Sequence, residues 1–228
     1  MHAILKPALA ILMLATPAMA QELPRQITVT GEGSVAAAPD LAWVNIGVTH
    51  TADTADEAVT KMSEGMQGVM ARLNAAGIAP ADIQTGQLSL YPTYADRSYE
   101  VAPEVAGFTA TIAVDVRVRD LAKLGFILDA VVEDGANTFG GIRFDLADPS
   151  TAYADARRDA VADGRAKAEL YAQAAGVTLG DLVTLSENSF YAAPIMAAAR
   201  LEDAGSVPVA GGEVSFAASV VMVYSIGD

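Results

Sequence analysis

The stretch "GFTATIAVDVRVRD" constrains this chain more than any other. Ile112, Val114, Val116 and Val118 alternate with Thr111, Ala113, Asp115, Arg117 and Arg119. A period of two over so long a run is a strand with one buried face and one wetter face. It requires a sheet whose apolar side is covered, and it favours antiparallel or mixed pairing over an all-parallel sheet buried on both faces.

Other strands follow the same logic. "QITVT" alternates Ile27 and Val29 with polar neighbours, and "LAWVNIGVTH" places Val44, Ile46 and Val48 on one face. "DIQTGQLSLYPTY" alternates Leu88 and Leu90. "GGIRFDLAD" and "DLVTLSENSF" are shorter strands, and "GEVSFAASVVMVYSI" closes the chain. This last strand carries Val214, Phe216, Ala218, Val220, Met222, Tyr224 and Ile226 on one side and Ala217, Val221 and Val223 on the other, so both sides are expected to be covered. The polar segment "ADRSYEVAPEVA" reads as a hairpin loop.

Three helices fill the gaps. Val59, Met62, Met66, Val69 and Leu73 make an apolar stripe over a helix from about Thr54 to Ala76, with Gly77 as its stop signal. "DLAKLGFILDAVVEDGA" predicts a second, with Asp120 as N-cap and Leu121, Leu124, Leu128 and Val131 inward. A third runs from near Ser150 to Gly176, where Ala152, Ala156, Ala160, Gly164, Ala168 and Ala172 recur every fourth residue. A fourth-residue ridge drifts by about 40° per step around the axis, so it is not expected to face a single partner throughout. Core packing by an Ala-rich helix is its first reading, and an assembly surface is the other.

The element order is β-β-α-β-β-α-β-α-β-β. Within it lies β-α-β-β-α-β, a ferredoxin-like split βαβ layer with an antiparallel or mixed sheet. The expected class is α+β, with a C-terminal α-β-β layer beside that sheet. The mature chain is expected to form one domain over 21–228, in two closely packed sublobes with a boundary near 149.

The N-terminus reads as a secretory signal over 1–20. Lys6 precedes a short apolar core, and Ala18-Met19-Ala20 is a small-x-small cleavage site. The apolar run falls short of the roughly 20 residues a membrane-spanning helix needs. The mature chain is therefore expected in the periplasm, without a transmembrane segment. It has no cysteine, which excludes disulfides, thiol nucleophiles and thiolate metal sites. A formal charge of −14 argues against nucleic acid as a partner.

The search for chemistry returns no catalytic, cofactor or metal site. "GEGSVA", from Gly31 to Ala36, has the spacing of a dinucleotide turn, but a second strand follows where a helix must open, and Pro39 stops a helix there. Gly31 and Gly33 read instead as a turn or bulge between strands. His50 is the lone histidine after signal removal and reads as a surface residue at a strand end. Asp53, Asp56 and Glu57 lack the glycine and closing glutamate of a calcium loop and suit a helix N-terminus. Met62, Met66 and Met70 read as core before any soft-metal or oxidant-scavenging role. Arg157, Arg158, Arg165 and Lys167, among Asp155, Asp159, Asp163 and Glu169, read as an ion-paired helix face. The long Pro/Gly-bearing connection over 191–213 is either functional or disordered.

Several stretches together resemble one family. They are "ITVTGEGSVAAAPDLAWVNIGV", "DIQTGQLSLYPTY", "GFTATIAVDVRVRDLAKLGFILDAVVEDGAN", "AYADARRDAVADGRAKAELYAQAAGV" and "VPVAGGEVSFAASVVMVYSI". The chain resembles the SIMPL-domain family, which includes bacterial periplasmic immunogenic antigens. The resemblance implies an α+β fold, export, ring-like or channel-like oligomers in some members, and association with oxidative or DNA-damage stress. It implies no reaction and no catalytic residues. The expectation is a non-enzymatic periplasmic homo-oligomer using the 191–213 loop, with the small-residue helix as a second candidate surface. A small-ligand or metal-binding module, with that loop or the Met stripe as its site, is the alternative.

Overall fold

A computed structural model describes residues 25–95, 104–187, 196–197 and 209–228. The signal segment 1–20, the tip of the "ADRSYEVAPEVA" loop and most of 191–213 lie outside the described residues. In chain order the elements are β1 (Gln26–Ala37), β2 (Leu41–Ala52), α1 (Ala55–Ala75), β3 (Ile83–Tyr94), β4 (Val105–Val118), α2 (Leu124–Glu133), β5 (Thr138–Asp145), α3 (Ser150–Ala175), β6 (Thr178–Glu187), the two-residue β7 (Met196–Ala197) and β8 (Glu213–Gly227). The fold is α+β with antiparallel sheets and three α-helices among these residues.

Two sheets divide the strands. One has the order β3-β4-β2-β5, antiparallel throughout. The other has the order β1-β8-β6, with β7 also paired to β8. The smaller layer expected from the last helix and strands therefore takes in β1 as well, so both ends of the described chain meet in one sheet.

The four-stranded sheet is covered on one face by α1 and α2. Val44, Ile46 and Val48 of β2, with Val114, Val116 and Val118 of β4, are buried against Met62, Met66, Val69 and Leu73 of α1 and Leu124, Ile127, Leu128 and Val131 of α2. Thr54 caps α1, its hydroxyl accepting the Glu57 N–H at 3.3 Å. Gly77 ends the helix with φ +87°, which lets the Ile78 N–H reach the Leu73 carbonyl at 3.0 Å. Two details differ from expectation. Val59 is 38% exposed and Ala58 takes its inward place, because 58, 62, 66, 69 and 73 share one face at spacings of three and four and Val59 lies about 100° round the axis from Ala58. Asp120 makes no capping hydrogen bond; a 3-10 turn over Leu121–Lys123 precedes α2, and Asp120 pairs with Lys123 at 2.9 Å.

The second sheet packs on α3; the turn expected at the glycines is absent, whereas core packing, the first reading of the ridge, holds and only its expected drift away from one partner fails. Gly31 and Gly33 form no turn: they sit inside β1, and neither has a positive φ. A Cβ on Gly31 would lie 2.0 Å from the Ala160 carbonyl oxygen, and one on Gly33 would lie 2.1 Å from that of Ala156. These glycines exist because the helix backbone lies directly on the strand backbone. All six small residues of the α3 ridge are buried. A fourth-residue ridge is inclined by about 26° to the helix axis. Neighbouring strands rotate by a similar angle, about 20–25°. A twisted sheet can thus follow a ridge that would leave a flat one.

Strand β8 runs between β1 and β6. Val214, Phe216, Val220, Met222 and Tyr224 are buried, and Tyr153 meets Phe216 edge-on at 5.2 Å. Its other face is not covered as expected: Ala217, Val221 and Val223 are only half-buried, because α3 shields just one side.

Candidate functional site

Most residues singled out in the sequence have structural places. His50 is half-buried near the end of β2, facing Ala110. Asp56 and Glu57 occupy the first turn of α1. Met62 and Met66 are buried and Met70 packs beside them. Among the described residues, no three His, Asp or Glu side chains are grouped to hold a metal. On α3, Arg165 pairs with Glu169 at 2.8 Å, Lys167 with Asp163 at 2.7 Å, and Arg158 with Asp155, while Arg157 reaches Glu187 on β6 at 2.8 Å. This face also ties the helix to β1: Asp163 accepts the Glu32 N–H at 2.8 Å, and Lys167 donates to the Thr30 carbonyl at 3.0 Å. The hydrogen bond from Lys167, then that from Glu32, holds the Asp163 carboxyl below the usual carboxylate range.

Two features were not anticipated. The first is a pair of open edges. Strand β3 ends one sheet and is paired only to β4 among the described strands. Leu88 and Leu90 lie on its helix-side face, yet α1 sits over β2 and β4 and leaves Leu88 69% exposed. Tyr91 and Tyr94 are exposed on the same strand. At the edge of the other sheet, Leu182, Val183 and Leu185 of β6 are exposed too. Alternation shows which residues share a face but not whether a helix reaches them. Pro92 is the one sequence signal for an edge, since proline cannot donate to a ladder.

The second is the wet face of the four-stranded sheet. Trp43 on β2 is flanked across the ladder by Arg117 on β4 and Arg143 on β5, with guanidinium carbons 5.5 and 5.9 Å from its ring centre. On the next rung, the Asn45 amide donates to Asp115 at 2.7 Å, and Asp115 faces Gln84 on β3. Strand β5 is bulged beside Asn45, at Gly140 and Gly141. A Cβ on Gly140 would lie 2.4 Å from the Asn45 side-chain oxygen, and Gly141 has φ +119°. Trp43, Asn45, Gln84, Asp115, Arg143 and the two glycines line an open cleft of about 460 Å³. Below it, Asp82 joins Arg117 and Arg119, and the hydrogen bond from Arg119, aided by Arg117, holds its carboxyl below the usual range. Only the alternation of polar residues along β4 hinted at this face.

The arrangement is that of an α+β protein with two antiparallel sheets, each covered by helix on one face. The chain belongs to the SIMPL family, described as proteins of unknown function (DUF541), which it matches over residues 27–224. It is 39% identical over 227 aligned positions to the 26 kDa periplasmic immunogenic protein of Brucella melitensis, covering 92% of this chain and 90% of that protein. It is 29% identical over 184 positions to the uncharacterized protein YggE of Edwardsiella ictaluri, covering 78% and 77% of the two chains. YggE of Escherichia coli K12 is 33% identical over 161 positions, covering 68% and 64%. None of these names states an enzymatic activity. Among the described residues, no helix is long and apolar enough to cross a membrane.

Proposed function

We propose that this chain is an exported, non-enzymatic periplasmic protein that self-assembles and supports envelope physiology under oxidative or DNA-damage stress. The observation that carries assembly is the pair of apolar strand edges. Unpaired edges bearing large apolar side chains are templates for another chain, and natural proteins cover or charge them. β3 keeps Leu88, Leu90, Tyr91 and Tyr94 exposed, and β6 keeps Leu182, Val183 and Leu185. β6 also leads directly into the 191–213 connection, which favours that region as part of the same contact. The small-residue ridge of α3 no longer competes as an assembly surface, because β1 and β8 cover it. The periplasmic location is supported by the signal-like N-terminus and by the name of the Brucella relative. The stress role rests on family resemblance.

The strand order β3-β4-β2-β5 supports reading the larger sheet with α1 and α2 as a ferredoxin-like split βαβ unit. The second sheet is then a sublobe of the same 21–228 domain.

Sedimentation of the mature protein tests assembly. The expected result is a homo-oligomer that shrinks when Leu88→Lys and Leu182→Lys are combined, or when 192–211 is replaced by a short Gly-Ser hairpin. A monomeric parent at micromolar concentration would overturn the reading. N-terminal analysis of the exported protein is expected to begin at Gln21.

A further inference from the structure

We propose that the cleft on the wet face of the four-stranded sheet binds a neutral saccharide. Its lining comes from two rungs of one sheet face, Trp43–Arg143 and Gln84–Asp115–Asn45, and from the Gly140–Gly141 bulge, while Arg117 stacks beside Trp43. Three observations choose the ligand class.

The first is charge. Arg117 is engaged by Asp82, and Arg143 pairs with Asp145 at 2.8 Å. Asp115 accepts from Asn45. The cations and carboxylates on this face offset one another, and the whole chain carries −14. A phosphate or sulfate site needs uncompensated cations or converging backbone N–H groups, and this cleft has no such excess.

The second is the type of polar group. Asn45 and Gln84 are amides with both donor and acceptor ends, Asp115 is an acceptor, and the guanidiniums are donors in a plane. Each hydroxyl of a sugar donates once and accepts twice, so a mixed donor–acceptor wall suits it. A lipid chain would cover these polar groups without offering any of them a hydrogen bond.

The third is shape. The volume, about 460 Å³, lies within the usual range of small-ligand sites and leaves room for one or two sugar rings. The cleft is open rather than enclosed, so a ligand there keeps part of its surface in water. The bulge contributes as well. It removes side chains from β5 where the Asn45 amide lies, and a bulged residue leaves its own backbone groups out of the ladder. With Arg117 and Arg143 stacked on the indole, the ring edge and the guanidinium stems are the apolar surface left for the C–H face of a sugar.

The chain has a single tryptophan, so Trp43 reports on this cleft alone. The test titrates the mature protein with chitotetraose and with maltotetraose, reading Trp43 fluorescence and the single indole N–H cross-peak in an NMR spectrum. Sodium phosphate is titrated in parallel. The expected result is a saturable change in both signals with at least one sugar, with a dissociation constant in the micromolar to low millimolar range, and none with phosphate. Gln84→Ala, an exposed position on an edge strand, is expected to weaken binding several-fold while leaving the melting temperature unchanged. Asn45→Ala is expected to weaken it at least tenfold. No saturable response to either sugar, an equal response to phosphate, or undiminished binding in both variants would overturn the proposal. Because it needs only the monomer's own face, it can fail or hold independently of assembly.

Discussion

The two helix–sheet interfaces of this molecule are built on opposite plans. Under α1 and α2, the sheet contributes Val44, Ile46, Val114 and Val116, and the helices contribute Met62, Leu73, Leu124 and Ile127, all fully buried. Side chains fill the space between the layers. Under α3, the contact is made by Ala156, Ala160, Gly164, Gly31 and Gly33, and the backbones themselves touch. The first plan gains stability from apolar area; the second gains it from close approach, and hydrogen bonds from β1 to Asp163 and from Lys167 to β1 reinforce it. One interface should therefore suffer when atoms are removed, the other when atoms are added.

The largest effect is expected from adding atoms beneath α3. Gly33→Val would force the helix off the strand, and a loss of more than about 3 kcal/mol is expected, since relaxation would have to move backbone rather than side chains. Urea denaturation measures it. The reverse change, Ala160→Gly, removes only a methyl and should cost about 1 kcal/mol from helix propensity. Equal costs for the two would break the contrast.

Under α1 the asymmetry inverts. Leu73→Ala should cost about 2–5 kcal/mol, because a fully buried side chain is replaced by a cavity. Gly77→Ala adds a methyl into open space, so its cost is only that of the φ +87° backbone, about 1 kcal/mol.

The smallest effects distinguish the polar ties of the two lobes. Asp82 and Asp163 both have carboxyl groups held below the usual range. A group depressed in the folded state contributes stability that is present above the unfolded value, about 3.9. That contribution is lost as pH falls through the lower folded value. Asp82→Asn should destabilise at neutral pH, and the gap from the parent should close as the solution is acidified below about pH 4. Added salt should reduce the Asp163 contribution more, because its partner Lys167 is more exposed than Arg117. Thermal melts across pH and salt check both.

This contrast explains what could be read from the amino acids and what could not. Period-two and period-3.6 patterns located the long strands and helices α1 and α2, because large apolar side chains mark the buried face directly; α3 was located by its small residues at every fourth position. The β1–α3 contact was misread for the same reason. Its key residues have no side chain to mark a face, so Gly31 and Gly33 suggested a turn and the α3 ridge suggested drift. The Trp43 cleft was invisible for another reason: its rungs join residues from β2, β3, β4 and β5, and cross-strand register is not written in any one segment. The exposure of Leu88 depends on where α1 ends up, which no local pattern records.

The central functional claim is that the apolar strand edges are contact surfaces between copies. The chain has no cysteine, so a single introduced thiol reports without background. The decisive measurement is disulfide crosslinking of the mature protein under mild oxidation, with Tyr91→Cys on β3 and Val183→Cys on β6 mixed in equal amounts. Glu64→Cys, on the exposed side of α1, is the control. The account predicts rapid covalent dimers from one or both edge variants, alone or mixed, and slow, concentration-limited ones from the control. Edge variants that crosslink no faster than Glu64→Cys would contradict it.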